Sequence, residues 1–513
     1  MPKHRVPLTG MERRMANTQQ PLLNATGIPG LDDILSGGLP AHRFYLVQGD
    51  PGVGKTTLAL QFLMEGRKAG EKVLYITLSE TKDELMAVAQ SHAWSLDDLE
   101  IIELSAMEAQ ILAATQNTLF HPAEVELTQT VDMLIKEVER VNPSRVVFDS
   151  LSEIRLLAQD SLRYRRQMLS FKQYFAQRKC TVLLLDDRTA GESDLHIQSI
   201  AHGVLSLQRL HNQVGAVRRQ LTVVKLRGAI FQDGYHDYDI RTGGLEVFPR
   251  MMASENPKAF ETGVVSSNIT ELDNLLGGGM DRGTSNLIMG PAGAGKSTMA
   301  CQYAVAAAAR GEKVAFYMFD ENIYTLKKRS DALGMDLSRH IDSGMIIIHH
   351  VDAAELSPGE MAASLRESVE IQDVRMVIID SLNGYLNAMP EERFLSLQLH
   401  ELLSYLSQQG VVSILIMAQH GLLGDMQAPA DLTYLADTVL LIRYFELTGS
   451  IKKALSVIKK RSGDHEGSIR EFGILNQKLT IGSPLEGFQG VLHGVPTFEG
   501  ANHSLLKTNN GKA

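Results

Sequence analysis

Two stretches of this chain have the residue types and spacing to hold phosphate. Gly49-Asp50-Pro51-Gly52-Val53-Gly54-Lys55-Thr56-Thr57 and Gly290-Pro291-Ala292-Gly293-Ala294-Gly295-Lys296-Ser297-Thr298 both fit G-x-x-x-x-G-K-[ST]. Glycines at these positions let backbone N–H groups close around phosphate oxygens, and a helix opening at the end of the loop adds a favourable partial charge. All these residues except Pro51 and Pro291 are predicted to bind the nucleotide ATP. Lys55 and Lys296 are expected to reach its β- and γ-phosphates. The Thr56 and Ser297 hydroxyls are expected to ligate Mg²⁺.

Acids and cations elsewhere complete the chemistry. Asp149 and Asp380 each end an apolar run, a place from which a carboxylate holds Mg²⁺ through water; the alternative is a helix-capping aspartate before Ser. An attacking water needs a carboxylate from the strand beside the phosphate-loop strand. Thr77-Leu78-Ser79-Glu80 offers Glu80, and Met318-Phe319-Asp320-Glu321 offers Asp320 and Glu321. The alternative there is a capping or surface acid. Lys225-x-Arg227 and Lys459-x-Arg461 close late strand-like runs. In ring ATPases such cations reach a neighbouring subunit's nucleotide and neutralise transition-state charge; the alternative is a surface charge at a strand end.

These residues need a scaffold that alternates strands and helices. Each loop follows an apolar run (Phe44–Val47; Asn286–Met289) and opens a helical pattern (Thr57–Arg67; Thr298–Arg310). Further strands are predicted at Val73–Leu78, Glu100–Leu104, Arg145–Phe148, Thr181–Leu185, Gly203–Gln208 and Gln220–Leu226. Helices are predicted at Lys82–His92, Val125–Val141 and Leu162–Arg178. The result is an α/β fold with a mostly parallel sheet flanked by helices. The last two strands lack an intervening helix, which predicts an antiparallel end.

The whole arrangement occurs twice. Thr26-Gly-Ile-Pro-Gly-Leu-Asp32 faces Ser267-Asn-Ile-Thr-Glu-Leu-Asp273, and Gly70-Glu-Lys-Val73 faces Gly311-Glu-Lys-Val314. The loop lysines lie 241 residues apart, the strand-end aspartates 231 and the K-x-R pairs 234. Near-constant offsets in one order mean two copies of a large domain, not a small-unit solenoid. The predicted organisation is a flexible segment 1–20, a first domain 21–248, a linker 249–262, a second domain 263–481, and an extension 482–513 that docks and ends loosely.

Bulk properties narrow the function classes. The 513 residues are 44% hydrophobic and 21% charged, ordinary values for a globular protein. No apolar run reaches the ~18 residues of a membrane span. The first residues, with His4, Arg5, Arg13 and Arg14, do not read as a secretory signal. Cys180 and Cys301, in different repeats, read as reduced core residues, so a cytoplasmic protein is expected. A net charge of −10 argues against nucleic acid as the main partner. Arg163, Arg165, Arg166 and Lys172 on one predicted helix, and Arg218 and Arg219 in a strand, read as solvated or interface charges. His349, His350 and His400 lack ligand-like spacing, and Trp94 reads as packing.

Tandem loops, a carboxylate after the next strand and K-x-R pairs resemble the KaiC family of RecA-like ATPases over roughly residues 20–480. Val224-Lys-Leu-Arg-Gly228 and Ile469-Arg-Glu-Phe472 are similar to family strings. The resemblance implies two tandem RecA-like P-loop domains and a homo-hexameric double ring with ATP at subunit interfaces. It implies slow hydrolysis in the first ring and, in clock members, autokinase and autophosphatase activity in the second. It also implies regulatory or signalling protein partners. Two positions depart from the family. Ser79 stands where the first of two glutamates is usual, leaving Glu80 alone, whereas Asp320-Glu321 keeps two carboxylates. Aligned on Asp437-Thr438, the clock phosphoacceptor pair becomes Thr433-Tyr434. A tyrosine hydroxyl lies on the order of 4 Å further from its backbone than a threonine's, so Thr433 is the candidate phosphosite and Tyr434 is not. The rival classes are a RecA/RadA-type DNA-handling ATPase and a nucleotide-switched scaffold with little turnover.

Overall fold

The computed structural model describes residues 22–104, 123–158, 160–188, 194–210, 216–252, 259–352, 354–387, 392–419, 432–447, 449–491 and 497–498. The segment 1–20, expected to be flexible, lies outside these residues, as do parts of the expected linker 249–262 and of the expected extension 482–513. The main division into two compact units falls between Arg250 and Met251.

Each unit is built on one nine-stranded sheet. In the first, the strands are β1 (Phe44–Gly49), β2 (Val73–Thr77), β3 (Glu100–Glu103), β4 (Arg145–Asp149), β5 (Thr181–Asp187), β6 (Gly203–Leu210), β7 (Arg218–Leu226), β8 (His236–Arg241) and β9 (Gly244–Phe248). In the second they are β10 (Ser285–Gly290), β11 (Lys313–Met318), β12 (Ile346–His350), β13 (Val374–Asp380), β14 (Val412–Ala418), β15 (Thr438–Leu447), β16 (Ser450–Lys460), β17 (Arg470–Leu475) and β18 (Lys478–Pro484). The spatial orders are β3-β2-β4-β5-β1-β6-β7-β8-β9 and β12-β11-β13-β14-β10-β15-β16-β17-β18. One topology is thus used twice, which makes the chain two tandem RecA-like α/β domains.

The central parallel strands of each sheet are buried on both faces. Every residue of β1, β2, β4 and β10 is buried, which is why these strands read as unbroken apolar runs. Helices supply the cover. Helix α1 (Lys55–Lys68) buries Leu58, Phe62 and Leu63 against β1, β2 and β4. On the other face, α2 (Ser161–Gln177) inserts Phe171 and Phe175 against Phe148. In the second unit α3 (Lys296–Ala309) has α1's place, and α4 (Ile323–Ala332) follows β11. Cys180 and Cys301 are free and buried, Trp94 packs on the core beside His92, and His349 stacks on Tyr317.

The antiparallel end is longer than expected. Beyond β6 and β7, the segment 236–248 forms a β8–β9 hairpin that the apolar pattern does not reveal. Its sequence His-Asp-Tyr-Asp-Ile-Arg is mostly polar, yet His236, Asp237 and Tyr238 are buried. The tight turn uses Gly243 and Gly244 at φ 103° and 113°, a conformation open to glycine. In the second unit β18 continues through Pro484, and Leu485 and Val491 pack on Phe445. Among the described residues no helix is long and apolar enough to cross a membrane.

Candidate functional site: two phosphate loops and their counterparts

Each phosphate loop joins the fully buried central strand to a helix that begins at the loop lysine itself. The helices start at Lys55 and Lys296, two residues earlier than the apolar periodicity suggests. Gly54 and Gly295 cap them at φ 94° and 105°. A Cβ on Gly54 would lie 2.7 Å from Ile240, and one on Gly295 2.9 Å from Phe472. The loops therefore rest on the antiparallel end of the sheet. Tyr238 of β8 donates to the Val53 carbonyl at 2.7 Å from a buried position. In the second copy Tyr444 donates to the Ala292 carbonyl at 3.2 Å and Lys453 to that of Gly293 at 3.2 Å. These supports lie far from the motif in sequence and carry no signature of their own.

The first site gathers an acidic cluster around its lysine. Lys55 Nζ donates to the carbonyls of Gly49 (2.8 Å) and Asp50 (3.0 Å) and pairs with Asp187 at 2.8 Å. Thr56 Oγ1 donates to Asp149 Oδ2 at 3.0 Å, and the Tyr75 hydroxyl donates to the same oxygen at 2.5 Å. Burial pushes the Asp149 carboxyl up, opposed by the hydrogen bonds from Tyr75 and Thr56. Glu80 is also raised, first by burial and then by Asp149. Its Oε2 is buried with no hydrogen-bond partner among the described residues. Thr77 fixes the turn, accepting from Glu80 N at 3.0 Å and donating to Glu80 O at 2.6 Å. Thr57 and Thr298, the last residues of the two motifs, are buried in their helices.

The second site holds its lysine differently. Lys296 Nζ donates to the Pro291 carbonyl at 2.8 Å, and burial lowers its pKa. Its sheet neighbour, in the position of Asp187, is Ala418: Gly49 pairs with Asp187 and Gly290 with Ala418. The Ser297 hydroxyl bonds to Asp380, whose carboxyl burial pushes up to about 6. Asp320 and Glu321, expected as a pair, are separated. Asp320 accepts from Ser381 Oγ at 2.6 Å, while Glu321 forms an ion pair with Arg329 of α4 at 2.8 Å. Neighbours at a strand end face different ways, and only the placement of α4 determines which acid meets a cation.

The oxygen-only donor sets suit a hard cation such as Mg²⁺, which takes one or two protein oxygens and completes its shell with water and phosphate. Thr56 with Asp149, and Ser297 with Asp380, have that composition. Among the described residues no three His, Cys, Asp or Glu side chains converge as a self-sufficient metal cage, as expected for an ion held largely by substrate.

The K-x-R pairs lie elsewhere. Lys225 donates to the Gln198 carbonyl and Arg227 to that of Ser199 (3.2 Å). Lys459 donates to the carbonyls of Thr433 (2.9 Å) and Ala436 (2.7 Å), and Arg461 to that of Tyr434 (2.9 Å). In both copies the pair grips the segment leading into β6 or β15. Arg227 N bonds to His202 O, and Arg461 N to Asp437 O. This is the start of the central parallel strands, whereas the phosphate loops leave at their ends. A six-residue strand separates the two, roughly 17 Å at 3.3 Å per residue. Thr433 is half-buried and Tyr434 exposed at the same end.

A profile of the family described as "ATPase: KaiC" matches residues 24–252 and again 265–486. The chain belongs to the KaiC ATPase family. Relatives include the circadian clock protein KaiC3 of Synechocystis sp. (strain ATCC 27184 / PCC 6803 / Kazusa), 25% identical over 92% of this chain and 94% of the relative. Circadian clock oscillator protein KaiC of Parathermosynechococcus lividus is 25% identical over 92% and 87%. That of Synechococcus elongatus (strain ATCC 33912 / PCC 7942 / FACHB-805) is 25% identical over 92% and 91%. Family membership makes the chain a KaiC-like ATPase, and the two profile matches coincide with the two nine-stranded units.

Proposed function

We propose that this chain is a cytoplasmic ATPase that binds Mg-ATP at both loops, works as a homo-hexameric double ring, and transfers phosphate to Thr433. In this reading domains 21–248 and 263–481 are the two ATPase units. The observation that carries it is the placement of each K-x-R pair at the opposite end of the sheet from its own loop. Such cations can serve only a nucleotide held by another molecule, so a complete site needs an assembly. Thr433 lies at that same end, which makes its phosphate donor a neighbour's nucleotide too.

Bound Mg²⁺ would supply charge neutralisation across the β- and γ-phosphates. Lys55 and Lys296 then exchange loop carbonyls for phosphate oxygens, and the loop N–H groups orient the phosphates. Glu80, with a raised pKa and an unpartnered buried oxygen, takes the proton of the attacking water in the first domain. In the second domain Asp320, whose partner is a neutral hydroxyl, is the better base, because Glu321 is neutralised by Arg329. There the proton comes from water or from the Thr433 hydroxyl. Lys225, Arg227, Lys459 and Arg461 stabilise transition-state charge across the interface. Partner proteins would read nucleotide or phosphorylation state.

Native mass spectrometry after incubation with Mg-ATP, with phosphopeptide mapping, tests the reading. The expected result is a hexamer phosphorylated on Thr433 and not on Tyr434. A monomer at micromolar concentration with ATP overturns the assembly. An unphosphorylated Thr433 removes the kinase activity. Mixing Glu80→Gln chains with Arg227→Ala chains should restore some first-site hydrolysis that neither supports alone. Roughly tenfold stimulation of hydrolysis by DNA would favour the DNA-handling reading instead.

A further inference from the structure

The first magnesium aspartate has a partner that the second lacks. Tyr75 lies on β2, two residues before Thr77, and is fully buried. Its hydroxyl and the Thr56 hydroxyl both donate to Asp149 Oδ2. Thr77 pairs with Asp149 across the sheet as Met318 pairs with Asp380. The backbone matches as well, with Leu78 N bonding to Asp149 O and Phe319 N to Asp380 O. The residue in the place of Tyr75 is therefore Phe316, equally buried and without a hydroxyl. At this position the two sites differ by one oxygen atom aimed at the metal-side carboxylate.

A phenol locked in a close-packed core has one orientation to offer. Its hydrogen bond to a carboxylate is charge-assisted and fixes the carboxylate plane. Mg²⁺ demands near-ideal octahedral geometry, whereas Ca²⁺ accepts loose and variable shells. A carboxylate fixed in advance therefore favours the smaller ion more than the larger one.

We propose that Tyr75 is a positioning residue that orients Asp149 and gives the first site tighter and more selective Mg²⁺ handling than the second. The proposal rests on the reading that both loops bind nucleotide with Mg²⁺. The test is a fluorescence titration of N-methylanthraniloyl-ATP binding against Mg²⁺, Ca²⁺ and no divalent ion. The first site is measured in a Lys296→Ala chain and the second in a Lys55→Ala chain. Tyr75→Phe should raise the Mg²⁺ half-saturation at the first site about tenfold, the low end of the effect of removing a metal ligand's supporting partner. The Ca²⁺ value should move less than twofold, and metal-free binding should stay unchanged. Phe316→Tyr should lower the Mg²⁺ half-saturation at the second site, and decides the matter if Tyr75→Phe does not fold. Equal losses for Mg²⁺, Ca²⁺ and metal-free binding, or no change in any, overturn the proposal. Nucleotide binding that is indifferent to Mg²⁺ in the wild-type chain overturns the underlying reading instead.

Discussion

The two halves share a strand order, a loop motif and a K-x-R grip, yet they treat charge differently. In the first, Lys55 is paired with Asp187, Asp149 has two hydroxyl donors, and Glu80 is the one acid in the turn 78–81 that follows β2. In the second, Ala418 replaces Asp187, Phe316 replaces Tyr75, and two acids follow β11, one of them tied to Arg329. At the far end His202, whose ring accepts from Phe44 N, takes the place of Asp437, which accepts from Ser285. Burial and the cations Lys172, Arg43, Arg227 and Lys225 push His202 down to about 4, so the first copy has a neutral ring where the second has an aspartate. A duplicated scaffold can thus keep its geometry while its electrostatics diverge.

The largest test of this comparison removes each lysine. Lys55→Ala and Lys296→Ala should each halve the nucleotide retained per chain after desalting, from two equivalents to one. One equivalent in the wild type, unaltered by one variant, would make that loop vestigial and end the comparison.

Next come the acids. Glu80→Gln should cost the first site about 10²–10⁴-fold in hydrolysis, the range for a general base with no substitute. At the second site Asp320→Asn should cost more than Glu321→Gln. Steady-state turnover in chains with the other loop disabled separates the two. Equal losses at Asp320 and Glu321 would erase the distinction drawn from Arg329.

The third test uses pH. Burial raises the Asp380 carboxyl in the folded state to about 6, above the ordinary aspartate value of 3.8. Raising the pH through that window strips a proton the folded state binds more tightly, so stability falls from about pH 4 to 6. A difference of that size is worth about 3 kcal/mol. Thermal melts without nucleotide should show this slope in the wild type and a shallower one in Asp380→Asn, where the raised Asp149 and Glu80 still contribute. Mg²⁺-dependent nucleotide retention at the second site should move the opposite way, weakening below about pH 6 because it needs the ionised carboxylate.

The smallest effect concerns Asp187. Its pair with Lys55 is partly exposed, at 38% for the Asp187 side chain, and is worth at most about 1 kcal/mol. Asp187→Ala should tighten nucleotide binding at the first site by up to about fivefold. Ala418→Asp should weaken the second by a similar factor. Equilibrium dialysis of each single-site chain gives both numbers.

How much of this was legible in the sequence follows from burial. Strands covered on both faces, such as β1 and β10, must be apolar throughout, so they stand out, and the loops between them and α1 or α3 carry a motif. The β8–β9 hairpin was not read, although Arg241-Thr-Gly-Gly244 is a turn signal, because polar residues such as Asp237 satisfy each other there, for example through Gln220 at 3.1 Å. The roles of Tyr75 and Asp187 leave no mark in the sequence because they depend on which strand lies beside which. No local pattern records that Tyr75 reaches Asp149, 74 positions away. The spacing of the K-x-R pairs suggests fingers, but their position at the far end of the sheet emerges only from the pairing of β6 with β7.

The Tyr238 prop under the first loop has a consequence for how the protein is made. The carbonyl it holds belongs to Val53, 185 residues earlier in the chain. During synthesis the glycine-rich loop emerges long before its support, so the nascent chain carries the motif without a finished nucleotide pocket. The pocket matures only when nearly the whole domain has left the ribosome, a long-range closure that slows folding. A fragment ending before Tyr238 would keep every residue of the motif and still lack the pocket.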